Sequence, residues 1–246
     1  MTKTLILIPS RIAATRLPGK PLLKINNLSI ISHVFKRAEE ANIGEVVVAT
    51  DSQKILKDVI KDGGRAILTN KDHKTGTDRI YEAYKKLDIE NVDYILNLQG
   101  DEPDINKNDI INLNNFMIRQ DAELGTLASK INNDKMLNNK NVVKVITDKE
   151  LKEGNFPVAI NFTRDNLSAN YQNIYHHIGI YSYRTDILKK FISLDQTESE
   201  KKNKLEQLRA LDNKLKINVA FAKSSPIGVD TEEDYLAIKK IMEYKI

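Results

Sequence analysis

A chain of 246 residues with 41% hydrophobic content can bury a substantial core, which excludes a disordered or fibrous protein and fits one large α/β domain or a domain with an appendage. The 38 basic and 34 acidic residues leave a net charge of only +4, so nonspecific nucleic-acid binding is not demanded. The absence of cysteine removes disulfides, thiolate metal sites and a cysteine nucleophile together, fits a reducing cytoplasm, and leaves oxygen or imidazole ligands for any metal.

Met1-Thr2-Lys3 leads straight into a strand with no signal-peptide pattern, and no apolar run approaches the roughly 20 residues that span a bilayer, so a soluble cytoplasmic protein is expected. The first strand is Leu5–Ile8, a continuous apolar run of the kind buried on both faces of a parallel sheet. It is expected to stop at Pro9, which cannot donate a ladder hydrogen bond. Arg11, Arg16 and Lys20 then emerge beyond the carboxyl edge of the sheet, where ligands gather in open α/β folds. Arginine offers a planar fork of donors to phosphate oxygens and lysine a compact charge, so the three together suit a triphosphate. Any one of them alone reads as a solvated loop cation. Neither Gly-x-x-x-x-Gly-Lys-[Ser/Thr] nor Gly-x-Gly-x-x-Gly occurs, so the loop is neither a Walker P-loop nor a dinucleotide fingerprint.

Further apolar, β-branched runs at Val46–Ala49, Ala66–Leu68 and Tyr94–Leu98 alternate with helical stretches at about Ser29–Asn42, Ser52–Asp62, Thr77–Leu87 and Lys107–Arg119. That alternation is the βαβ signature of a parallel sheet. Each strand exit carries polar chemistry: Thr50-Asp51, Lys74-Thr75-Gly76-Thr77-Asp78-Arg79, and Gln99-Gly100-Asp101-Glu102-Pro103. After Arg119 the strands Gly125–Ile131, Val142–Thr147, Val158–Phe162 and His177–Tyr183 follow one another through Asn-rich connections, an antiparallel extension of the sheet or a subdomain packed on it. Helices are read at Arg184–Ser193, at Glu198–Lys214 with a Leu205, Leu208, Leu211 stripe, and at Thr231–Tyr244, with a strand at Ile217–Ala222. No repeat or linker marks two independent domains, so residues 1–246 are read as a single domain in which about 125–165 forms a subdomain or a pairing region.

Asp101 follows a buried strand, and Gly100 before it permits a close backbone approach. A carboxylate there suits magnesium, which takes one or two carboxylates together with substrate phosphates and waters. Asp230 is the second candidate, with an equal reading as an ordinary helix N-cap, shared with Thr231. Thr75, Gly76 and Thr77 either cap the third helix or also present N–H groups to a nucleotide. His176 and His177 point to opposite faces of their strand. Tyr181 shares the face of His177, either as part of a sugar site or as neighbours of a satisfied core histidine. In Leu205-Glu206-Gln207-Leu208-Arg209 the leucines face inward, and Glu206, Gln207 and Arg209 face outward to a pocket or to water.

These segments, in this order and over nearly the whole chain, resemble the CMP-Kdo synthetases, the 3-deoxy-manno-octulosonate cytidylyltransferases of bacterial lipopolysaccharide synthesis. The motifs that carry the resemblance are Pro9-Ser10-Arg11 through Lys20-Pro21, Val48-Ala49-Thr50-Asp51, Thr75 to Arg79, Leu98 to Pro103, His177 to Tyr181, Leu205 to Arg209 and Gly228-Val229-Asp230-Thr231. The family more often has Ala at Ser10, Ser at Ala14 and Pro at Glu232, and none of these departures removes a charged group. The resemblance implies a Rossmann-like mixed sheet of nucleotide-diphospho-sugar transferase type: a parallel N-terminal half flanked by helices, with an antiparallel extension. It also implies magnesium-dependent transfer of CMP from CTP to the anomeric hydroxyl of Kdo with loss of pyrophosphate. On that likeness Arg11, Arg16 and Lys20 hold the triphosphate and, with Asp101, form the catalytic set, while Asp101 and Asp230 hold Mg2+. Thr75, Gly76 and Thr77 lie by the nucleotide. Gln99, Arg164, His177, Tyr181, Glu206 and Gln207 surround the sugar acid, for which Arg164 is a bidentate carboxylate partner. A homodimer acting without nucleic acid or membrane is implied as well. The rivals are a CMP transferase for amino-Kdo or another acidic sugar, and a non-catalytic CTP-binding protein.

Overall fold

The computed structural model describes residues 2–13, 16–131, 133–165 and 172–243, which fall into two compact units, 1–111 with 226–246, and 112–225. In the first unit four strands, β1 (Thr4–Ser10), β4 (Gly44–Thr50), β5 (Ala66–Leu68) and β6 (Tyr94–Asn97), lie side by side in the order β6-β1-β4-β5, all parallel. The register sets Ile6 between Val46 and Leu96, and Leu5, Ile6, Leu7 and Ile8 are almost completely buried. Each such side chain contributes about 1.5–3 kcal/mol when removed from water.

Helices α1 (Ile30–Glu40), α2 (Gln53–Lys61) and α3 (Gly76–Leu87) pack on these strands. Ser29 caps α1 by accepting from the Ser32 N–H, and Ile30, Ile31, Val34, Phe35 and Ala38 form its inward stripe at helical spacing. Between β1 and α1 runs a segment that the periodicity did not single out. It holds a short 3₁₀ turn, Lys20–Leu22, and the strands β2 (Lys24–Ile25) and β3 (Leu28–Ser29), paired antiparallel. Asn26 and Asn27 join them with φ of 47 and 66, the left-handed turn that asparagine tolerates and that two-residue hairpins need. The closing helix α9 (Glu232–Glu243) brings Ile238 and Met242 onto Ile25, Ile30 and Val229, and Leu17 packs against this cluster. An apolar residue of the cationic loop is thereby anchored beside the residue preceding Asp230.

One boundary differs from expectation. β1 does not end at Pro9 but continues to Ser10, with Pro9 opposite Ala49. Pairing with β6 ends at Leu7 opposite Asn97, so the missing N–H of Pro9 falls where one side of the strand has already opened.

The second unit holds most of α4 (Lys107–Gln120), then β7 (Leu124–Ser129), a short α5 (Asp134–Asn138), β8 (Lys144–Thr147), β9 (Ala159–Thr163) and β10 (Ile174–Arg184). After these come α6 (Thr185–Ile192), α7 (Glu198–Asn203), α8 (Gln207–Asp212) and β11 (Ile217–Phe221). β10 is antiparallel to β7 and β8, and β8 to β9, whereas β11 joins β7 in parallel. The antiparallel part is therefore present, in an α/β fold whose first unit contributes only parallel strands to the main sheet. The helix expected over Glu198–Lys214 is broken in two: Lys204 sits at φ 53, ending α7, and α8 starts afresh at Gln207. The break buries Leu205 and lets Arg209 turn inward to Glu200. Among the described residues no helix is long and apolar enough to cross a membrane.

Candidate active site

The carboxyl ends of the parallel strands open on a cavity of about 310 Å³. Arg11, Arg16, Lys20, Gln99, Asp101 and Asp230 all line it, as do Thr75 and Gly76. Residues as far apart in sequence as Ser10 and Asp230 thus converge on one rim. Lys20 is held by the turn after Gly19, whose φ of 70 suits glycine, and by a hydrogen bond from its own N–H to the Leu17 carbonyl. At Gly100 a Cβ would stand 2.8 Å from the Pro9 carbonyl oxygen and 3.1 Å from Ile31 Cδ1, so only glycine lets the Asp101 turn lie against β1.

Lys20 Nζ reaches both carboxylates, at 2.7 Å from Asp101 Oδ2 and 3.2 Å from Asp230 Oδ1, and Arg16 Nη2 lies 2.9 Å from Asp230 Oδ2. The Val229 N–H donates to the Asp101 carbonyl at 2.9 Å, which ties the two acidic segments together. The competing assignment of Asp230 as a helix cap is settled by its neighbours. Thr231 Oγ1 accepts from the Asp234 N–H, and Asp234 Oδ2 accepts from the N–H groups of Asp230 and Thr231. Capping is done by Thr231 and Asp234, and the Asp230 carboxylate stays with the cations. Next to Asp101, burial and then the Asp101 charge push the Glu102 carboxyl up to about 8.

Thr75 is a true cap: its hydroxyl accepts from the Asp78 N–H at 3.1 Å, while Asp78 Oδ2 accepts from its N–H at 3.2 Å. Thr75 and Gly76 nevertheless line the cavity. Thr77 does not; it is buried, with its hydroxyl 3.5 Å from Asn97 Nδ2. The sequence reading passed over His73, which also lines the cavity and whose Nε2 contacts Glu82 Oε2. Against the opposing effect of desolvation, Lys86, His73 and the Asn70 N–H bring Glu82 down to about 2. The local signal for it is a histidine just ahead of Thr75, nine residues before a glutamate on α3.

The remaining candidates lie in the second unit. His177 and Tyr181 have ring centroids 5.5 Å apart, and Phe162 meets His177 edge-on at 5.0 Å. Between Ile178 and Tyr181 the register against β7 slips, three residues of β10 facing one step of β7, yet the bulge preserves the shared face because its excess is even. Thr126 lies at this bulge. Its hydroxyl donates to the Ile180 carbonyl at 2.7 Å, with the Ile178 carbonyl at 3.2 Å, and so accepts from His177 Nε2–H at 3.0 Å. That assignment leaves Nδ1 as an acceptor. Burial first, then His176 and the Arg164 charge, lower His177 to about 3, so it is neutral. Burial, Tyr183 and Glu206 raise the Tyr181 hydroxyl, which places Glu206 near it. Arg164 Nη1 donates to the Asn141 carbonyl at 3.2 Å.

The expectation that Gln207 and Arg209 face outward does not hold: both are buried. Arg209 makes a two-pronged pair with Glu200, Nε to Oε2 at 2.8 Å and Nη2 to Oε1 at 2.6 Å, with its guanidinium 4.9 Å from the Phe191 ring centre. A helical stripe read over a single helix could not show this, because the break at Lys204 rotates the second segment.

The cytidylyltransferase family model matches residues 5–217. The chain is 43% identical over 248 residues to the 3-deoxy-manno-octulosonate cytidylyltransferase of Rhodopseudomonas palustris (strain BisB18), covering 99% of each. It is 40% identical over 243 residues to that of Bartonella bacilliformis (strain ATCC 35685 / KC583 / Herrer 020/F12,63), covering 98% of each. A solved structure of CMP:2-keto-3-deoxy-manno-octonic acid synthetase complexed with CTP matches with a TM-score of 0.90 and 33% identity over 100% of both chains. UDP-glucose pyrophosphorylase complexed with UDP-glucose, at 15% identity and a TM-score of 0.72 over 100% of both chains, shares the fold. Fold and rim chemistry are those of a nucleotidyltransferase. Within that class, the chain belongs to the cytidylyltransferase family, among the 3-deoxy-manno-octulosonate cytidylyltransferases.

Proposed function

We propose that this enzyme transfers CMP from CTP to Kdo in the cytoplasm, as a homodimer, with Mg2+ bound by Asp101 and Asp230. The observation that carries the reading is the convergence of these two carboxylates with Arg11, Arg16 and Lys20 on one cavity. A single ammonium bridges the carboxylates, so they already share one cationic position. Among the described residues no group of three or more His, Cys, Asp or Glu stands ready to cage a metal, and two carboxylates are what a magnesium ion bound largely by phosphates and water requires. When bound, that ion supplies charge neutralisation on phosphate oxygens and acidifies the attacking hydroxyl.

The chain's own residues supply the rest. Arg11, Arg16 and Lys20 bind the triphosphate and neutralise the charge that develops on departing pyrophosphate. The Kdo anomeric oxygen attacks the α-phosphorus, the bond to the bridging oxygen of pyrophosphate breaks with its electron pair leaving on pyrophosphate, and the hydroxyl proton passes to solvent water. No covalent enzyme intermediate is needed, because positioning and electrostatics carry such transfers. Thr75 and Gly76 belong to the nucleotide side, with buried Thr77 behind them rather than at the nucleotide, and Gln99 to the sugar side. In the second unit Arg164 is assigned the sugar carboxylate, and His177, Tyr181, Glu206 and Gln207 its hydroxyls. Neutral His177, with Nδ1 free of the Thr126 bond, suits an uncharged hydroxyl donor. Exposed Ile160 on β9, within the 125–165 region, supports pairing there, and light scattering tests it.

The test is pyrophosphate release from CTP, magnesium and Kdo, with no-sugar, sialic-acid, amino-Kdo and EDTA arms. Release that depends on Kdo and magnesium establishes the reading. Faster turnover of amino-Kdo reassigns the sugar, and CTP binding without release to any sugar leaves a nucleotide sensor.

A further inference from the structure

Asp51 lies outside the lining of the cavity and Arg79 at its edge, and together they connect its two walls. Asp51 Oδ1 accepts from the Ile12 N–H at 3.3 Å, at the start of the cationic loop. Its other oxygen pairs with Arg79 Nη2 at 3.3 Å, and the two side chains are 10% and 4% exposed. Arg79 Nη1 donates to Thr69 Oγ1 at 2.6 Å and to the Asn70 carbonyl at 3.2 Å. The Asn70 N–H donates in turn to Glu82 Oε2 at 2.8 Å, the carboxylate that also contacts His73 on the cavity wall. One chain of charged hydrogen bonds thus runs from the loop that carries Arg11 to the segment that carries His73, Lys74 and Thr75.

The geometry points to Asp51 and Arg79 as a positioning pair that holds these two walls at the spacing a nucleotide triphosphate requires. The inference rests on the nucleotide reading of the cavity. A loop bearing arginines loses conformational freedom when it binds a polyanion, and a backbone N–H already fixed to a buried carboxylate removes part of that loss before the ligand arrives. The Arg79 fork suits the task, since a planar guanidinium meets a carboxylate, a hydroxyl and a carbonyl from one rigid plane, which a lysine cannot do. Asp51, which does not line the cavity, acts without touching the substrate. The consequence is selective: removing the pair weakens the nucleotide and leaves the sugar acid nearly untouched.

The experiment measures the CTP Kd by calorimetry without sugar, and the KM values for CTP and Kdo, in wild type, Asp51→Ala, Asp51→Asn and Arg79→Lys. Asp51→Ala is expected to weaken CTP tenfold or more in both Kd and KM, with the Kdo KM within twofold of wild type. Asp51→Asn keeps an oxygen for the Ile12 N–H and is expected to recover part of that loss. Arg79→Lys should weaken CTP three- to tenfold. A CTP Kd within twofold of wild type in folded Asp51→Ala overturns the inference, as does an equal rise in both KM values, the mark of a merely structural role. Should Asp51→Ala fail to fold, Asp51→Asn decides by the same twofold criterion. The wild-type arm separates the two readings: CTP binding without Kdo turnover removes the sugar assignment and leaves the positioning test intact, whereas no CTP binding at all removes both.

Discussion

In the first unit the candidate side chains are ionised and neutralise one another around a cavity, whereas His177 and Tyr181 of the second unit are uncharged and buried. Lys20, 14% exposed, bridges Asp101 and Asp230, which are 31% and 47% exposed. Such pairs are screened enough to exchange partners with an incoming polyphosphate at small net cost. His177 is held neutral by burial, and the Tyr181 hydroxyl is held protonated for the same first reason. A neutral hydrogen-bonding wall recognises hydroxyls by geometry, because a mismatched partner leaves buried polar groups unpaired. On the proposed reading, the two regions divide the work of charge neutralisation and of discrimination.

The largest predicted effect breaks the charged side. Asp101→Asn keeps the shape but halves the carboxylate set, and turnover should fall at least 10²–10³-fold, about 3–4 kcal/mol of transition-state stabilisation, with the far-UV spectrum unchanged. Near-normal activity in that variant sinks the metal assignment. Next comes the buried pair that orients α8. Arg209→Ala strands the Glu200 carboxylate, and equilibrium unfolding should show a loss of roughly 3–5 kcal/mol, whereas Arg209→Met with Glu200→Leu should lose much less.

The uncharged side is sharpened by pH. The His177 ring titrates near 6.5 in the unfolded chain and at about 3 in the fold. Below pH 6.5 the unfolded state therefore takes up a proton that the folded state refuses. Stability falls as pH drops toward 3 and is flat with respect to this group above 6.5. From pH 6.5 to 4.5 the loss from this residue is roughly 2–3 kcal/mol, and His177→Gln should remove it. Identical slopes in the two proteins would refute the buried neutral ring. Glu82, depressed to about 2, contributes above its ordinary range and loses that contribution only as pH falls below about 4.5, so it leaves this window clear. The smallest effect is at the Asp230 helix: Thr231→Ala removes the cap and should lower stability by about 1 kcal/mol in thermal unfolding, leaving the carboxylate pairs of Asp230 in place.

Much of the parallel half was legible. Apolar runs such as Leu5–Ile8 and Val46–Ala49 are buried on both faces, so their composition alone marks them, and the cations after β1 stand at the rim as the strand exit requires. The Asp101 turn was readable because Gly100 has a single steric reason to be glycine. The second unit was less transparent. One residue in the left-handed region, Lys204, splits an expected helix, and it turns Gln207 and Arg209 from apparent surface into interior. A bulge whose excess is even left the His177 and Tyr181 faces as alternation predicts, so there the simple reading survived an irregularity.

Local patterns suffice for strand and helix periodicity, for capping at Thr75, and for a short cationic loop beside an acidic turn, because these depend on neighbours within a few residues. The identity of the Asp230 partner, the Asp51 bridge between Ile12 and Arg79, the pairing of His73 with Glu82 and the inward turn of Arg209 required the folded chain. A charged side chain in sequence is equally at home in water or against an opposite charge. Only the long-range packing of β1, β4 and α3, and of α7 against α8, brings the opposite charge within reach and removes the water.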